Sequence, residues 1–306
     1  MEANPVNQPD QPMRSGFVSI IGKPNVGKST LMNVLVGESL SIVTSKAQTT
    51  RHRIMGILNG ELDGTPYQLV YSDTPGILKS SYKLHETMMA FVKGSLEDAD
   101  VILLVTEPGE NPVTHEAIPL LSRVEAPIVL VINKMDLSNQ EDLKQRIEEW
   151  KSVLNPVHIT VISALHAHNT EGLLRVLVDL LPIHPAYFPD DDLTDKPERF
   201  FASEIIREKI FLNYRQEIPY SSEVVIREFK DKEGLLVILA DILVERNSQK
   251  GIIIGDKGSM LKKTGMDARK SLESFFGKKV FLETRVKVDP DWRNNELRLK
   301  QLGYKE

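Results

Sequence analysis

The residues Gly22-Lys23-Pro24-Asn25-Val26-Gly27-Lys28-Ser29 fit the pattern GxxxxGK[ST], and the chemistry that pattern serves is the holding of a chain of phosphates. Its glycines let backbone N–H groups turn inward at the start of a helix, where the helix dipole favours negative charge. Lys28 would reach the β- and γ-phosphates, and the Ser29 hydroxyl would take one position around Mg²⁺. Apolar Phe17–Ile21 reads as the strand before the motif, and Lys28–Val36, with Thr30 in its first turn, as the helix after it. That is the context the motif requires. Four fixed positions arise by chance in on the order of 1 in 100 chains of this length, so the motif needs company.

Three further signals supply it. Asp73-Thr74-Pro75-Gly76 ends the strand-like run Tyr67–Ser72. Its carboxylate can hold Mg²⁺ through water, and the Gly76 N–H can sense a terminal phosphate. Asn133-Lys134-Met135-Asp136 ends the run Ile128–Ile132. Asp136 can accept both the N1–H and the N2 amine of guanine, whereas adenine offers neither and would leave the carboxylate unpaired. Ser163-Ala164-Leu165 follow the run His158–Ile162 and could donate a backbone N–H to the guanine O6. Phosphate grip, metal and base clamp all fall at strand C-terminal ends, where open α/β sheets bind ligands. The chemistry implied is GTP + H₂O → GDP + phosphate.

The stretch Ser45–Arg51, with His52 after it, lies between the first helix and the second strand, where GTPases carry a mobile switch. Of Gln48, Thr49, Thr50, Arg51 and His52, one threonine should complete the Mg²⁺ shell with Ser29 and Asp73. Spacing does not choose between Thr49 and Thr50; Thr50 joins Lys28 in the expected catalytic set. Ile77 stands where some GTPases place the glutamine that orients the attacking water. An isoleucine cannot do that, so intrinsic hydrolysis should be slow.

The elements that position these residues alternate. Strands at Phe17–Ile21, Ile54–Leu58, Tyr67–Tyr71, Val101–Val105, Ile128–Ile132 and His158–Ile162 are interleaved with helical patterns at Lys28–Val36, Lys83–Glu97, Thr114–Arg123, Gln140–Val153 and Thr170–Leu181. Asn59-Gly60 and Asp63-Gly64 suit a hairpin between the second and third strands. The fold class expected is α/β, a phosphate-loop GTPase domain with a doubly wound, mostly parallel sheet. Residues 182–198, with four prolines and no hydrophobic period, read as a stiff linker. Beyond it comes a smaller α+β domain: a helix near Arg199–Arg215, strands near Glu223–Phe229 and Leu235–Glu245, two short helices around Ser248–Phe275 and a strand at Lys279–Val288. The expected boundaries are a disordered arm at 1–14, the GTPase domain at 15–181, the linker at 182–198 and the last domain at 199–306.

Together GKPNVGKST, AQTTRHRI, DTPGI, NKMD and SAL, followed by FPDDDLTDKPERF, VERNSQKGIIIGDKGSMLKK and DWR, resemble the Era family of bacterial ribosome-assembly GTPases of the TRAFAC class. The resemblance runs over nearly the whole chain beyond the N-terminal arm. It implies maturation of the small ribosomal subunit through binding near the 3′ end of its RNA. It also implies a monomer acting in the cytoplasm, in part peripheral on the inner membrane. In relatives with this phosphate loop the residue equivalent to Asn25 helps bind K⁺, which acts like an arginine finger; this adds Asn25 to the catalytic set and K⁺ to GTP/GDP and Mg²⁺. One departure is Asp256, where the family carries a basic residue.

The residues of the last domain support that reading independently. Ile254-Gly255-Asp256-Lys257-Gly258 between two helices reads as the GxxG loop of a KH module, and the helix–strand–strand–helix–helix–strand order is that of type II. Such a loop packs its backbone on nucleotide phosphates while single-stranded bases lie in an apolar groove. Lys250, Lys257, Lys262, Lys263, Arg269 and Lys270 could add salt-sensitive phosphate contacts. Charge agrees: residues 1–196 carry 16 Lys+Arg against 25 Asp+Glu, and the remainder 22 against 18, within a net −5. The alternative is a GTPase whose last domain binds a protein or membrane surface. A kinase with the same phosphate loop is disfavoured by the guanine-type motif. With no cysteine, disulfides and thiolate metal sites are excluded. His158, His166 and His168 have no suitably spaced carboxylate partner for a metal, and Trp292 beside Arg293 suits either base stacking or core anchoring.

Overall fold

The computed structural model describes residues 13–304, so all but the last two residues of the expected arm lie outside the described residues. Strands β1 (Arg14–Ile21), β2 (Ile54–Leu62), β3 (Thr65–Asp73), β4 (Val101–Thr106), β5 (Ile128–Ile132) and β6 (His158–Val161) form one sheet in the order β2-β3-β1-β4-β5-β6. Every neighbouring pair is parallel except β2 with β3. The connecting helices are α1 (Lys28–Val36), α2 (Lys83–Glu97), α3 (Ile118–Leu121), α4 (Gln140–Val153) and α5 (Thr170–Leu180). All six residues of β4, VILLVT, are buried. A parallel strand covered on both faces has no polar side to alternate with, which is why such strands read as unbroken apolar runs.

Two expectations in this sheet are corrected. The β2–β3 hairpin turns at Asp63-Gly64, with φ of 50° and 82°, the left-handed pair that matches the twist of a two-residue turn. Asn59-Gly60 instead lies inside β2, and a Cβ on Gly60 would meet the Tyr67 ring. The helix expected over Thr114–Arg123 shrinks to the single turn of α3. Pro119 cannot donate inside a longer helix, and the preceding residues are held in turns by His115, whose amide bonds the Pro112 carbonyl.

The second sheet belongs to the C-terminal part. Helices α6 (Glu198–Asn213) and α7 (Ile218–Ser221) precede β7 (Glu223–Lys232) and β8 (Leu235–Val244). Helices α8 (Asn247–Ile254) and α9 (Ser259–Phe276), strand β9 (Lys279–Val288) and helix α10 (Glu296–Gln301) follow. The order is β7-β8-β9, antiparallel then parallel. Ile206, Ile210, Ile238, Ile242, Ile253, Ala268 and Leu272 form its apolar core. The second of the two helices expected to be short is 18 residues long, and the buried face of Thr264, Ala268 and Leu272 carries it past Gly265. Trp292 is fully buried and donates to the Ser221 carbonyl at 3.1 Å, so it anchors the core rather than stacking on a base.

The chain divides into two compact units, and the division does not follow the sequence. The first holds residues up to Ser41, Arg53–Ile77 and Phe91–Asp195; the second holds Ile42–His52, Leu78–Ala90 and everything from Lys196 onward. The proline-rich stretch to Asp195 is therefore part of the first unit. Gln68, fully buried on β3, fastens it: its Oε1 accepts from the amides of Tyr187 and Phe188, and its Nε2 donates to the Phe188 carbonyl and Asn59 Oδ1.

Candidate functional site

Within the first unit the sheet order changes direction at β1, whose neighbours β3 and β4 lie on opposite sides, and the phosphate loop leaves its carboxyl end. This is the crevice where such sheets take ligands. Gly27 has φ 100° and serves as the N-cap of α1. A Cβ there would lie 2.2 Å from Asn133 Nδ2, so no other residue fits. Beneath the loop, Lys28 Nζ donates to the carbonyls of Gly22 and Lys23 at 3.2 and 2.8 Å. Burial pushes its pKa down to about 8, against the opposing pull of Asp73 and Glu110. A phosphate would restore the charge that burial penalises.

Asp73 ends β3, fully buried, and two hydroxyls converge on its Oδ2: Ser29 Oγ at 2.6 Å and Ser41 Oγ at 2.8 Å. Carboxylate and hydroxyl oxygens are the donors a hard cation such as Mg²⁺ prefers, and Ser29 and Asp73 fit that ion. Ser41 was not visible to motif reading, since its partner Asp73 lies 32 positions away. Thr74 Oγ1 donates to the Ile20 carbonyl, and the Ile77 amide to the Gly22 carbonyl at 3.0 Å. Pro75 and Gly76 lie between them, and a Cβ on Gly76 would meet Pro24 at 2.7 Å. Ile77 itself is buried and presents no polar group to a water.

The base end is assembled by Asn133. Its Nδ2 donates to the Val26 carbonyl at 2.8 Å and its Oδ1 accepts from the Ala164 amide at 2.9 Å, tying three loops together. Of the backbone N–H groups at Ser163–Leu165, one of which was expected to face a base, that of Ala164 is engaged by Asn133. The Ser163 amide donates to the His168 carbonyl, while Leu165 is 77% exposed. Ser163 Oγ donates to Asp136 Oδ1 at 2.6 Å, and that hydrogen bond holds the Asp136 carboxyl below the usual carboxylate range. Asp136 is exposed and ionised, poised to accept. Lys134, in the left-handed region at φ 60°, pairs with Glu107 at 2.5 Å, and Lys23 pairs with Glu116 at 3.0 Å. Both acidic partners come from beyond β4 and escaped the motif reading. The described residues contain no group of three or more His, Cys, Asp or Glu able to hold a metal.

The switch residues lie in the second unit. Arg51 is fully buried, donating to Glu223 Oε2 at 3.0 Å and to the carbonyls of Ser222, Pro219 and Tyr220. Burial alone would raise the Glu223 carboxyl, but Arg51 and Arg207 outweigh it and hold it below the usual range. Arg207 donates to the Thr49 carbonyl. His52 stacks on Tyr304 at 4.3 Å, and its burial pushes the imidazole down to about 3. Gln48 Oε1 accepts from the Tyr82 hydroxyl at 3.2 Å. Thr49 and Thr50 are both buried.

In the same unit Gly255, Asp256, Lys257 and Gly258 link α8 to α9. Gly258 has φ 80° and its missing Cβ would point into open space, whereas one on Gly255 would strike Met260 at 2.7 Å. Asp256, Lys257, Lys262, Lys263, Arg269 and Lys270 are exposed, and Lys250 and Ile254 are half-buried.

Comparison with known proteins matches the N-terminal and C-terminal parts of the chain to different families. Residues 17–134 match the family described as 50S ribosome-binding GTPase, and residues 217–293 match the KH domain. GTPase Era of Geotalea daltonii is 47% identical over 298 residues, covering 96% of this chain and 99% of the relative. The chain belongs to the Era family. GTPase Era of Clostridium perfringens is 44% identical over 96% of the chain. An Aquifex aeolicus Era variant solved with GDP.AlF4- shares 38% identity and a TM-score of 0.90 over 96% of this chain and 100% of that one. An Era structure solved with MgGDPNP and nucleotides 1506-1542 of 16S ribosomal RNA matches equally well. The protein is therefore a GTPase with a KH domain.

Because Asn133 satisfies a buried carbonyl and a buried amide at once, Asn133→Ala should destabilise the nucleotide-free protein by roughly 1–3 kcal/mol. Urea denaturation measures this, and an unchanged midpoint would contradict the tie.

Proposed function

We propose that this GTPase is a nucleotide-dependent switch in small-subunit assembly, binding the 3′-end region of small-subunit ribosomal RNA through its KH domain. The observation that carries this reading is the presence on one chain of the Asn133-tied nucleotide site and a GxxG loop between two helices of a type II KH sheet. The Era protein of the same fold crystallised with a 16S RNA segment supports it.

In this reading Gly22–Thr30 hold the phosphates, with Lys23, Pro24 and Val26 shaping the loop. Ser29 and Asp73 would hold Mg²⁺ together with Thr49 or Thr50, and the ion when bound would supply charge neutralisation at the phosphates. Thr74, Pro75, Gly76 and Ile77 follow the terminal phosphate. Asn133, Lys134, Asp136, Ser163, Ala164 and Leu165 frame guanine, and Gln48–His52 respond to the nucleotide state. Asn25, at φ 65°, is the residue that would bring K⁺ to the leaving phosphates. On the RNA side the loop backbone approaches a phosphate, and the exposed lysines and arginines add affinity without selecting bases. Asp256 offers no cation to a phosphate, so its contribution there is through backbone alone. Action as a cytoplasmic monomer, with peripheral contact at the inner membrane, belongs to the same reading; among the described residues no helix is long and apolar enough to cross a membrane.

Three outcomes follow. Asp136→Asn exchanges an acceptor pair for a mixed amide, so GTP binding should weaken by roughly 2–4 kcal/mol and xanthosine triphosphate should gain; an unchanged GTP titration would remove Asp136 from the base site. If Asn25 brings K⁺ to the phosphates, replacing K⁺ by Na⁺ should slow single-turnover hydrolysis while GTP binding stays nearly intact, and equal rates in both salts would count against it. Gly258→Asp puts a side chain and a negative charge where a phosphate would approach. It should abolish binding of a single-stranded 3′-end RNA and leave the GTP titration unmoved; full RNA affinity in a folded variant would reduce the GxxG loop to a turn.

A further inference from the structure

The last carbonyls of a helix have no partner within it, and two such helix ends meet in the second unit. At the end of α6 the Lys46 ammonium donates to the carbonyls of Phe211 and Tyr214. Near the end of α8, two residues before Gly255, the Ile253 carbonyl accepts from the Tyr214 hydroxyl at 2.8 Å. That hydroxyl in turn accepts from Thr264 Oγ1 of α9 at 3.1 Å, and the neighbouring Asn213 amide donates to Asp267 Oδ2 of α9 at 3.1 Å. Tyr214 is 3% exposed, so water cannot replace these partners. One residue is thus held through its backbone by Lys46, while its side chain fastens both helices that flank the GxxG loop.

Lys46 itself is held by the switch segment. Its amide donates to Thr44 Oγ1 at 3.2 Å, and its carbonyl accepts from Thr49 Oγ1 at 2.7 Å. The Thr44 and Thr49 hydroxyls lie 2.6 Å apart, closing the turn. A rearrangement of Thr49 is therefore felt at Lys46.

We infer that Lys46 and Tyr214 are positioning residues for the GxxG loop, through which the segment that responds to the nucleotide sets the loop's readiness for an RNA phosphate. The inference rests on the reading of that loop as the RNA site. The basic side chains supply charge, whereas this pair supplies shape: it fixes where the last turn of α8 stops and hence where the loop amides point. Coupling of this kind needs an element with two arrangements that both sites bias, and the inference gives that part to the Thr44–Thr49 turn.

The test uses the full chain at saturating nucleotide, with GDP and with a non-hydrolysable GTP analogue. Hydrogen exchange is followed over residues 251–262 beside titration of a labelled single-stranded RNA copying the 3′ end of small-subunit ribosomal RNA. Tyr214→Phe keeps the ring and removes only the hydroxyl. Exchange at 253–258 should rise by about 3–10-fold in both nucleotide states, the loss of one hydrogen bond, and RNA affinity should fall to a similar extent. Lys46→Met keeps the stem and removes the charge, so exchange and RNA affinity should become the same with GDP and with the analogue. Lys46→Arg, which retains a donor, should preserve the difference. Parental exchange at 253–258 in both Tyr214→Phe and Lys46→Met overturns the inference, as does a parent chain in which that exchange ignores the nucleotide. If exchange responds as stated but RNA binding is absent, or survives Gly258→Asp, the RNA reading falls and the positioning role stands.

Discussion

The carboxamide of Asn133 is the interaction on which the nucleotide site depends. A parallel sheet delivers the carboxyl ends of β1, β3, β5 and β6 to one edge, but it does not hold the loops that leave them in register. Asn133 does so, bonding the Val26 carbonyl of one loop and the Ala164 amide of another. The same group explains Gly27, whose Cβ would occupy the place of Asn133 Nδ2. With both partners buried there is no water to substitute for it, so residues 27, 133 and 164 constrain one another. The same tie holds the loop of Asp136 beside that of its partner Ser163.

The two units solve the burial of charge differently. In the first, Asp136 is exposed, and Lys28 is held by the Gly22 and Lys23 carbonyls. In the second, Arg51 and Arg207 are buried against Glu223 and Glu204. Such pairs add little net stability, yet removing one member is costly, so they fix a single arrangement. The switch residues are held by this second kind of interaction. Arg51 thereby fastens this segment to α7 and β7, and Arg207 of α6 holds the Thr49 carbonyl.

Much of this was legible in the sequence, and the rest was not for a physical reason. The phosphate loop, Asp73-Thr74-Pro75-Gly76, Asn133–Asp136 and Ser163-Ala164 are short runs of fixed residue types that each follow an apolar strand, so local pattern exposes them although their partners are distant. Strands β4 and β5 were legible because burial on both faces leaves an unbroken apolar run. Ser41, Glu107 and Glu116 were missed because each acts on a partner brought near only by the fold. Arg51 read as an ordinary switch residue, yet its carboxylate partner lies 172 positions away, and no periodicity records a contact of that length. The short α3 and the long α9 were misjudged because hydrophobic periodicity does not fix how far a helix runs: Pro119 lies in the first turn of α3, and α9 continues through Gly265.

The central claim is that RNA at the KH domain and GTP at the sheet edge act on one another. It is tested most directly by single-turnover GTP hydrolysis of the full chain with and without the 3′-end RNA, in the parent and in Gly258→Asp. The account predicts that RNA changes the parent's rate, while Gly258→Asp hydrolyses at the parent's RNA-free rate whether or not RNA is present. A parent rate indifferent to RNA, or an RNA effect that persists in Gly258→Asp, would contradict it.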